Sequence, residues 1–229
     1  MRLTTAIKKG TKKFIYKNNN MPDFEAKLEH ARKDVGDGIV WVVTDGVFSM
    51  EGSLADLKAM RELCDKHNAV LAIDDSHGTG VMGETGRGTH EHYGLSGTDI
   101  DLFTGTLGKA LGGGAGGYIA GPRAAVEMIV QRARPTLFSN ALPVTVACSA
   151  DKAIEILMRE PELVQRLRDN VSYARTKIRD AGFEVIDSPT AICPIIVGET
   201  SKAISMSKRL LELGVYVIGF GYPVVPEGE

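Results

Sequence analysis

Lys109 stands in the stretch TGTLGKALGGGAGG (residues 104–117), where nearly every neighbour is Gly, Ala, Thr or Leu. Lysine is a strongly hydrated point charge on a flexible stem, whereas a glycine-dense turn serves close approach of the backbone to something else. The setting predicts a lysine withdrawn from water. A desolvated ammonium gives up its proton more readily, and the resulting amine is a nucleophile toward carbonyl carbon. Asp74 closes an apolar run in AVLAIDDSHGTG (69–80), 35 residues before the lysine, and His77 follows it by three. An acid, an imidazole and an amine are therefore available, with the hydroxyls of Thr104 and Thr106 flanking the lysine.

Several chemistries compete for this set. A phosphate-binding P-loop needs G-x-x-x-x-G-K-[ST]. Here Ala110 follows the lysine and Phe103 takes the place of the first glycine, so two defining positions fail. GGGAGG (112–117) satisfies G-x-G-x-x-G only because glycine is so dense there, and an apolar strand rather than a helix follows it. A metal site from Asp74, Asp75 and His77 has no partner cluster elsewhere in the sequence, and DDSH is equally an Asx-type turn capped by its own side chains. The remaining candidate is a covalent carrier. Pyridoxal phosphate (PLP) requires a Schiff-base lysine and an acid facing the pyridine nitrogen. It also requires small donors and backbone N–H groups for its phosphate. The residues alone leave carrier and turn side by side.

Composition narrows the class. The 229 residues are 43% hydrophobic and 24% charged, with a net charge of −2. That balance makes no electrostatic case for nucleic acid or an anionic membrane. The basic run IKKGTKKF (7–14) reads as a solvated edge. No apolar run approaches the ~18 residues of a membrane span, and the N-terminus has no signal-peptide core. Cys64, Cys148 and Cys193 are too far apart for a CxxC pattern and fit a reducing compartment. Cys64 falls on the apolar side of a helix and is expected to be a buried small hydrophobe.

The elements that must position these groups follow from periodicity. A short strand is expected over 13–18. A helix is expected over 21–34, with Pro22 in its first turn and Phe24, Leu28 and Ala31 on one face. Residues 39–45 form a continuous apolar run, the mark of a strand buried on both faces. A helix over 53–68 has Ser53 as its candidate N-cap. Strands follow at 70–75, 101–106 and 116–123. Strand, helix, strand with buried strands indicates α/β with a mostly parallel sheet, and in such sheets ligands bind beyond the carboxyl ends of the strands. Three polar turns, TDGVFS, DDSHGTG and GTLGKALGG, are thus expected to converge. After about residue 141 the pattern changes to a long helical stretch, 151–182, broken near Pro161. Two short strands within 183–198, a helix over 200–214 closed by Gly214, and a last strand at 215–225 follow, the start of a smaller α+β domain.

Five stretches in order resemble the α-oxoamine synthases, a family of fold-type I PLP enzymes. They are TDGVFSMEG (44–52), AIDDSHGTGVMGETGRG (72–88), DLFTGTLGKALGGGAGGYIAGPR (101–123), RPTLFSNALP (134–143) and GFGYPVVPEGE (219–229). TGTLGKALGG, LFSNALP and YPVVPEG look most like the branch that joins glycine to acetyl-CoA, the glycine C-acetyltransferases or 2-amino-3-ketobutyrate CoA ligases. Sister branches make 8-amino-7-oxononanoate and 5-aminolevulinate. The resemblance implies a fold-type I, aminotransferase-like large domain over 1–145 and part of a small domain over 146–229. It implies PLP on Lys109, Asp74 at the pyridine nitrogen, His77 at the phenolic oxygen, Thr106 at the phosphate and Ser49 touching the cofactor. Asp75 is expected to point away from the ring. Ser139 and Asn140 are expected to reach the other subunit's site in a homodimer. The implied reaction yields 2-amino-3-oxobutanoate and CoA, or runs in reverse during threonine breakdown, in the cytoplasm or, behind a targeting segment, in mitochondria.

Members of that family are longer than this chain. The resemblance places the histidine that stacks on the ring before Met1, and the arginine that binds the substrate carboxylate after PEGE. The chain alone is therefore expected to be inactive. A dimerising partner subunit is the non-enzymatic alternative, set against the intact Lys109 and Asp74.

Overall fold

The computed structural model describes residues 11–112 and 114–225. The start of the basic run 7–14, the glycine at 113 and PEGE lie outside the described residues. The chain divides into two compact units. One takes residues through Phe48 together with Ser53–Leu167; the other takes Ser49–Gly52 and Arg168–Glu229.

The first unit is built on a four-stranded sheet in the order β1-β2-β3-β4. β1 (Val40–Asp45), β2 (Ala69–Asp74) and β3 (Leu102–Thr106) run parallel, and β4 (Gly117–Ala120) is antiparallel to β3. Helix α1 (Met21–Val35) starts at Asn20, whose side chain accepts the Asp23 N–H, and presents Phe24, Leu28 and Ala31 to the core as expected. Helix α2 (Leu57–Lys66) buries Leu57, Met60 and Cys64. These residues join Val40, Val42, Leu71, Ile73 and Ile100 in one apolar cluster. Asp101 Oδ2 accepts the Leu71 N–H at 2.7 Å and Arg61 Nη1 at 2.9 Å, so α2 is tied to the starts of β2 and β3. The unit continues through α3 (Thr89–His92), a 3-10 turn (Gly97–Asp99), α4 (Arg123–Arg132), α5 (Arg134–Leu137) and α6 (Val144–Arg159).

Helix α7 (Glu162–Asp180) begins directly after Pro161, the break expected from sequence. The second unit also holds α8 (Thr200–Glu212), followed by Gly214 at φ 85°, the left-handed position that the glycine was expected to fill. Arg175 is buried, and its guanidinium donates to the carbonyls of Ile186, Thr190 and Ile192. Gly52 O in turn accepts Ser188 Oγ and Thr190 Oγ1.

Five expectations are corrected here. Residues 13–18 form no strand; Phe14 and Tyr16 instead pack their rings on His30 and Phe24 of α1. β1 is not buried on both faces. It is the edge of the described sheet, Trp41 is 53% exposed, and an open groove of about 840 Å³ runs along that face. Ser53 caps no helix. A bridge between Val47 and Leu54 keeps the chain extended past it, and Asp56 caps α2 by accepting the Ala59 N–H. The two strands within 183–198 reduce to a single bridge, Val185 to Ile195, because Arg175 takes up the carbonyls that a ladder would use. Residues 215–225 pair with no strand among the described residues, and Val217 O is taken by Ser207 Oγ.

Candidate active site

Register aligns the polar strand ends. Asp45 of β1 is level with Asp74 of β2, which is level with Thr104 of β3. Side chains alternate across a sheet, and register partners share a face. Asp45, Asp74 and Thr104 therefore form a polar row on one face, beyond the apolar positions Val43, Ala72 and Leu102. Asp74 Oδ1 accepts the Ser76 N–H at 3.0 Å. Its other oxygen has no hydrogen-bond partner among the described residues. The groove along β1 reaches this row only at Asp74 and Thr104; His77 and Lys109 lie outside it.

The turn after β2 carries His77. The Asp75 carbonyl accepts the N–H groups of Gly78 and Thr79, closing the turn in helical fashion. The turn after β3 carries Lys109, and Nζ lies 2.8 Å from His77 Nε2. Two residues 32 apart in sequence thus meet beyond the carboxyl ends of the parallel strands. Burial lowers the His77 imidazole below its ordinary value, and the Lys109 ammonium lowers it further; the Asp45 and Asp74 carboxylates act in the opposite direction. A neutral ring accepts at Nε2 the hydrogen bond that Lys109 donates. Burial, reinforced by Asp74, raises the Asp45 carboxyl, whereas His77 and Lys109 lower it.

The other expected residues are more dispersed. Thr106 Oγ1 donates to Gly116 O and accepts the Gly108 N–H at 3.2 Å. Ser49 is exposed in the turn following β1 and belongs to the second unit. Ser139 and Asn140 are exposed after α5, with Ser139 Oγ donating to Asn140 O. Lys109 is itself exposed, which corrects the expectation of a lysine withdrawn from water. The glycines at 112 and 114 adopt φ of 66° and 78°, and a Cβ at either would meet no atom within 4 Å. The turn beside Lys109 is open rather than packed.

The Asp75 carboxylate is fully buried, held by Thr89 and Thr79. Asp45, Thr79, Thr89 and Tyr118 were not singled out from sequence. Asp45 is the second residue of TDGVFSMEG (44–52), but its alignment with Asp74 depends on strand register.

Residues 5–228 match the family described as aminotransferase class I and II. The chain belongs to that family. Within it, the chain is 43% identical over 218 residues to the 2-amino-3-ketobutyrate coenzyme A ligase of Escherichia coli K12, covering 95% of this chain and 54% of that protein. The mitochondrial ligase of the same name from Homo sapiens is 42% identical over 217 residues, covering 95% and 51%. An 8-amino-7-oxononanoate synthase from Thermoanaerobacter pseudethanolicus is 42% identical over 215 residues, covering 94% and 53%. The chain thus spans about half the length of the curated relatives it matches. Among solved structures, the serine palmitoyltransferase of Sphingomonas wittichii superposes with a TM-score of 0.86 at 30% identity, covering 93% of this chain and 53% of that one. The corresponding enzyme of S. paucimobilis, solved with a bound PLP–myriocin aldimine, gives a TM-score of 0.84 at 30% identity with the same coverage. The class I and II aminotransferase fold and the likeness to α-oxoamine synthases agree with the expectation from sequence. No helix among the described residues is long and apolar enough to cross a membrane.

The donor set fits PLP. An amine, an imidazole and a carboxylate with an unused oxygen converge beyond the strand ends, and a hydroxyl with a backbone N–H stands beside the lysine in an open glycine turn.

Proposed function

We propose that this chain carries the cofactor half of a PLP-dependent acyltransferase that joins glycine to the acetyl group of acetyl-CoA. The 2.8 Å approach of Lys109 Nζ to His77 Nε2 carries this reading. The two ligases at 43% and 42% identity supply the substrate class. In the reaction a carbon–carbon bond forms between the glycine α-carbon and the acetyl carbonyl carbon, the thioester C–S bond breaks, and CoA leaves. When bound, PLP supplies an electron sink for the charge left at the α-carbon.

The residues of the chain divide the remaining work. Lys109 would hold the cofactor covalently through Nζ and, once displaced by substrate, take the α-proton. His77 Nε2, which accepts a hydrogen bond from Lys109 Nζ, would contact the phenolic oxygen of the cofactor. The unused oxygen of Asp74 would face a protonated ring nitrogen. Thr106 Oγ1 and the Gly108 N–H would turn from each other to the phosphate, and Ser49 would touch the cofactor. Ser139 and Asn140 would serve the other subunit of a homodimer. The division into a large domain to residue 145 and a small domain beyond it belongs to the same reading, as does a cytoplasmic or mitochondrial location.

The test is to add PLP to the purified chain, reduce with borohydride and map the modified peptide. A pyridoxyl adduct confined to Lys109 and abolished by Lys109→Ala is expected. Labelling scattered over surface lysines would overturn the reading. The 8-amino-7-oxononanoate synthase at 42% identity favours a second reading, with a longer acyl donor. CoA release from glycine with acetyl-CoA, against longer acyl-CoA thioesters, separates the two.

A further inference from the structure

Asp75 neighbours the proposed site yet takes no part in the steps above, and the chain is folded tightly around it. Oδ1 accepts Thr89 Oγ1 at 2.5 Å; Oδ2 accepts the Thr89 N–H at 3.1 Å and Thr79 Oγ1 at 3.3 Å. Three glycines close on the same two oxygens. A Cβ at Gly46 would stand 2.5 Å from Oδ1, one at Gly78 2.1 Å from Oδ1, and one at Gly88 1.9 Å from Oδ2. The end of β1, the turn after β2 and the start of α3 thus all lack side chains where they meet this carboxylate. The Asp75 backbone is equally committed, since its N–H donates to Thr104 O at 2.8 Å and its carbonyl closes the turn at Gly78 and Thr79. His77 lies inside that turn, between Ser76 and Gly78. Thr79 Oγ1 also lies 2.7 Å from the Tyr118 hydroxyl, which extends the network to β4. There the Tyr118 ring lies over Gly105, where a Cβ would stand 2.4 Å from a ring carbon.

We propose that Asp75 is a positioning residue, whose carboxylate pins the turn that holds His77 Nε2 against Lys109 Nζ. This rests on the reading of Lys109 and His77 as the reacting pair. A carboxylate placed only to fill the core would affect stability and leave the imidazole unchanged. A carboxylate that pins the turn sets the distance of His77 from Lys109, and hence how strongly the lysine acts on the imidazole. The charged and titratable groups facing His77 are Lys109, Asp45 and Asp74, and those facing Asp75 are Asp74 and Tyr118.

The experiment follows the His77 ring nitrogens by NMR through a pH titration of the 229-residue chain without PLP. It compares the wild type, Asp75→Asn, Lys109→Gln and the double variant. In the wild type, His77 is expected to titrate below the ordinary imidazole value and to move upward on Lys109→Gln. In Asp75→Asn, His77 is expected to titrate higher than in the wild type, closer to the ordinary imidazole value, and to respond less to Lys109→Gln. A folded Asp75→Asn protein whose His77 titrates as in the wild type, with the same response to Lys109→Gln, overturns the proposal. Should Asp75→Asn not fold, Thr89→Val retains the volume and the N–H donor while removing the hydroxyl. It is expected to move His77 in the same direction by less, and no movement there overturns the proposal too. Because PLP is absent, failure of Lys109 to take the cofactor would count against the proposed function and leave this result standing.

Discussion

Gly88 and Gly94 flank α3, both with positive φ, and their surroundings are opposite. Gly88 has φ 123° and ψ −170°, a region almost reserved for glycine, and an added Cβ would stand 1.9 Å from Asp75 Oδ2. Gly94 has φ 69°, and a Cβ there would meet nothing within 4 Å. Gly94→Ala therefore carries only the left-handed penalty, about 1–2 kcal/mol, partly offset by about 0.4–1 kcal/mol from a less flexible unfolded chain. Gly88→Ala carries about 1–3 kcal/mol of backbone strain and a further ~1–3 kcal/mol of overpacking. Asp75 cannot retreat, because Gly46 and Gly78 already press on its other side and Thr89 holds both oxygens. The expected gap between the two alanine variants is about 2 kcal/mol or more. Urea unfolding followed through Trp41, the one tryptophan of the chain and a residue of β1, measures it. Equal losses in the two variants would refute the account of the glycine cage.

Three other outcomes follow. Burial pushes the Asp75 carboxyl up to about 6, whereas an unfolded aspartate titrates near ~3.9. The folded state therefore holds this proton more tightly, and the contribution of Asp75 to stability falls as pH rises from about 4 through about 6. Urea unfolding of wild type and Asp75→Asn is expected to show their stability difference shifting by about 2 kcal/mol in favour of the variant between pH ~4.5 and ~7.5; parallel pH curves would contradict it. Arg175→Met leaves the carbonyls of Ile186, Thr190 and Ile192 without their donor. It should cost the second unit at least about 2 kcal/mol, read as lost amide protection across 183–195 with the β1 and β2 amides unchanged. Leu57→Ala removes a fully buried side chain from the main cluster and should cost about 2–5 kcal/mol by the same urea assay, with no effect on where PLP labels the chain.

What was legible in the sequence depended on where each residue finds its partner. Helices α1, α7 and α8 were readable because their signals are local: Pro22 in a first turn, the interruption at Pro161, Gly214 after the last turn; α6 was read only in its second half, since it starts at Val144 rather than near 151. β2 and β3 were readable because each run ends in a polar or glycine-rich turn, although β3 is only half-buried. Strands at 13–18, within 183–198 and at 215–225 were expected from composition and are not present, because a strand requires a ladder partner. Arg175 shows the alternative: three carbonyls in 186–192 are satisfied by one side chain instead of a neighbouring strand. Ser53 has the right chemistry for a cap, but the long-range bridge between Val47 and Leu54 moved the helix start to Asp56.

The same distinction runs through the candidate site. Asp74, His77 and Lys109 could be read because parallel strands deliver their carboxyl ends to one edge, whatever the loop lengths between them. Asp45 was missed because its place beside Asp74 is a matter of register, and a slip of one residue would turn it to the other face. Thr89 was missed for a different reason. It follows Asp75 by 14 residues across a glycine-rich loop, and nothing local marks it as a partner. The glycines themselves carried that information. Gly46, Gly78 and Gly88 fall in three separate turns, and each reads alone as an ordinary turn residue. Their common approach to one carboxylate leaves no room for a side chain at any of the three, Gly88 being held to glycine by its backbone as well, and that approach makes the buried Asp75 a more constrained group than the exposed Lys109.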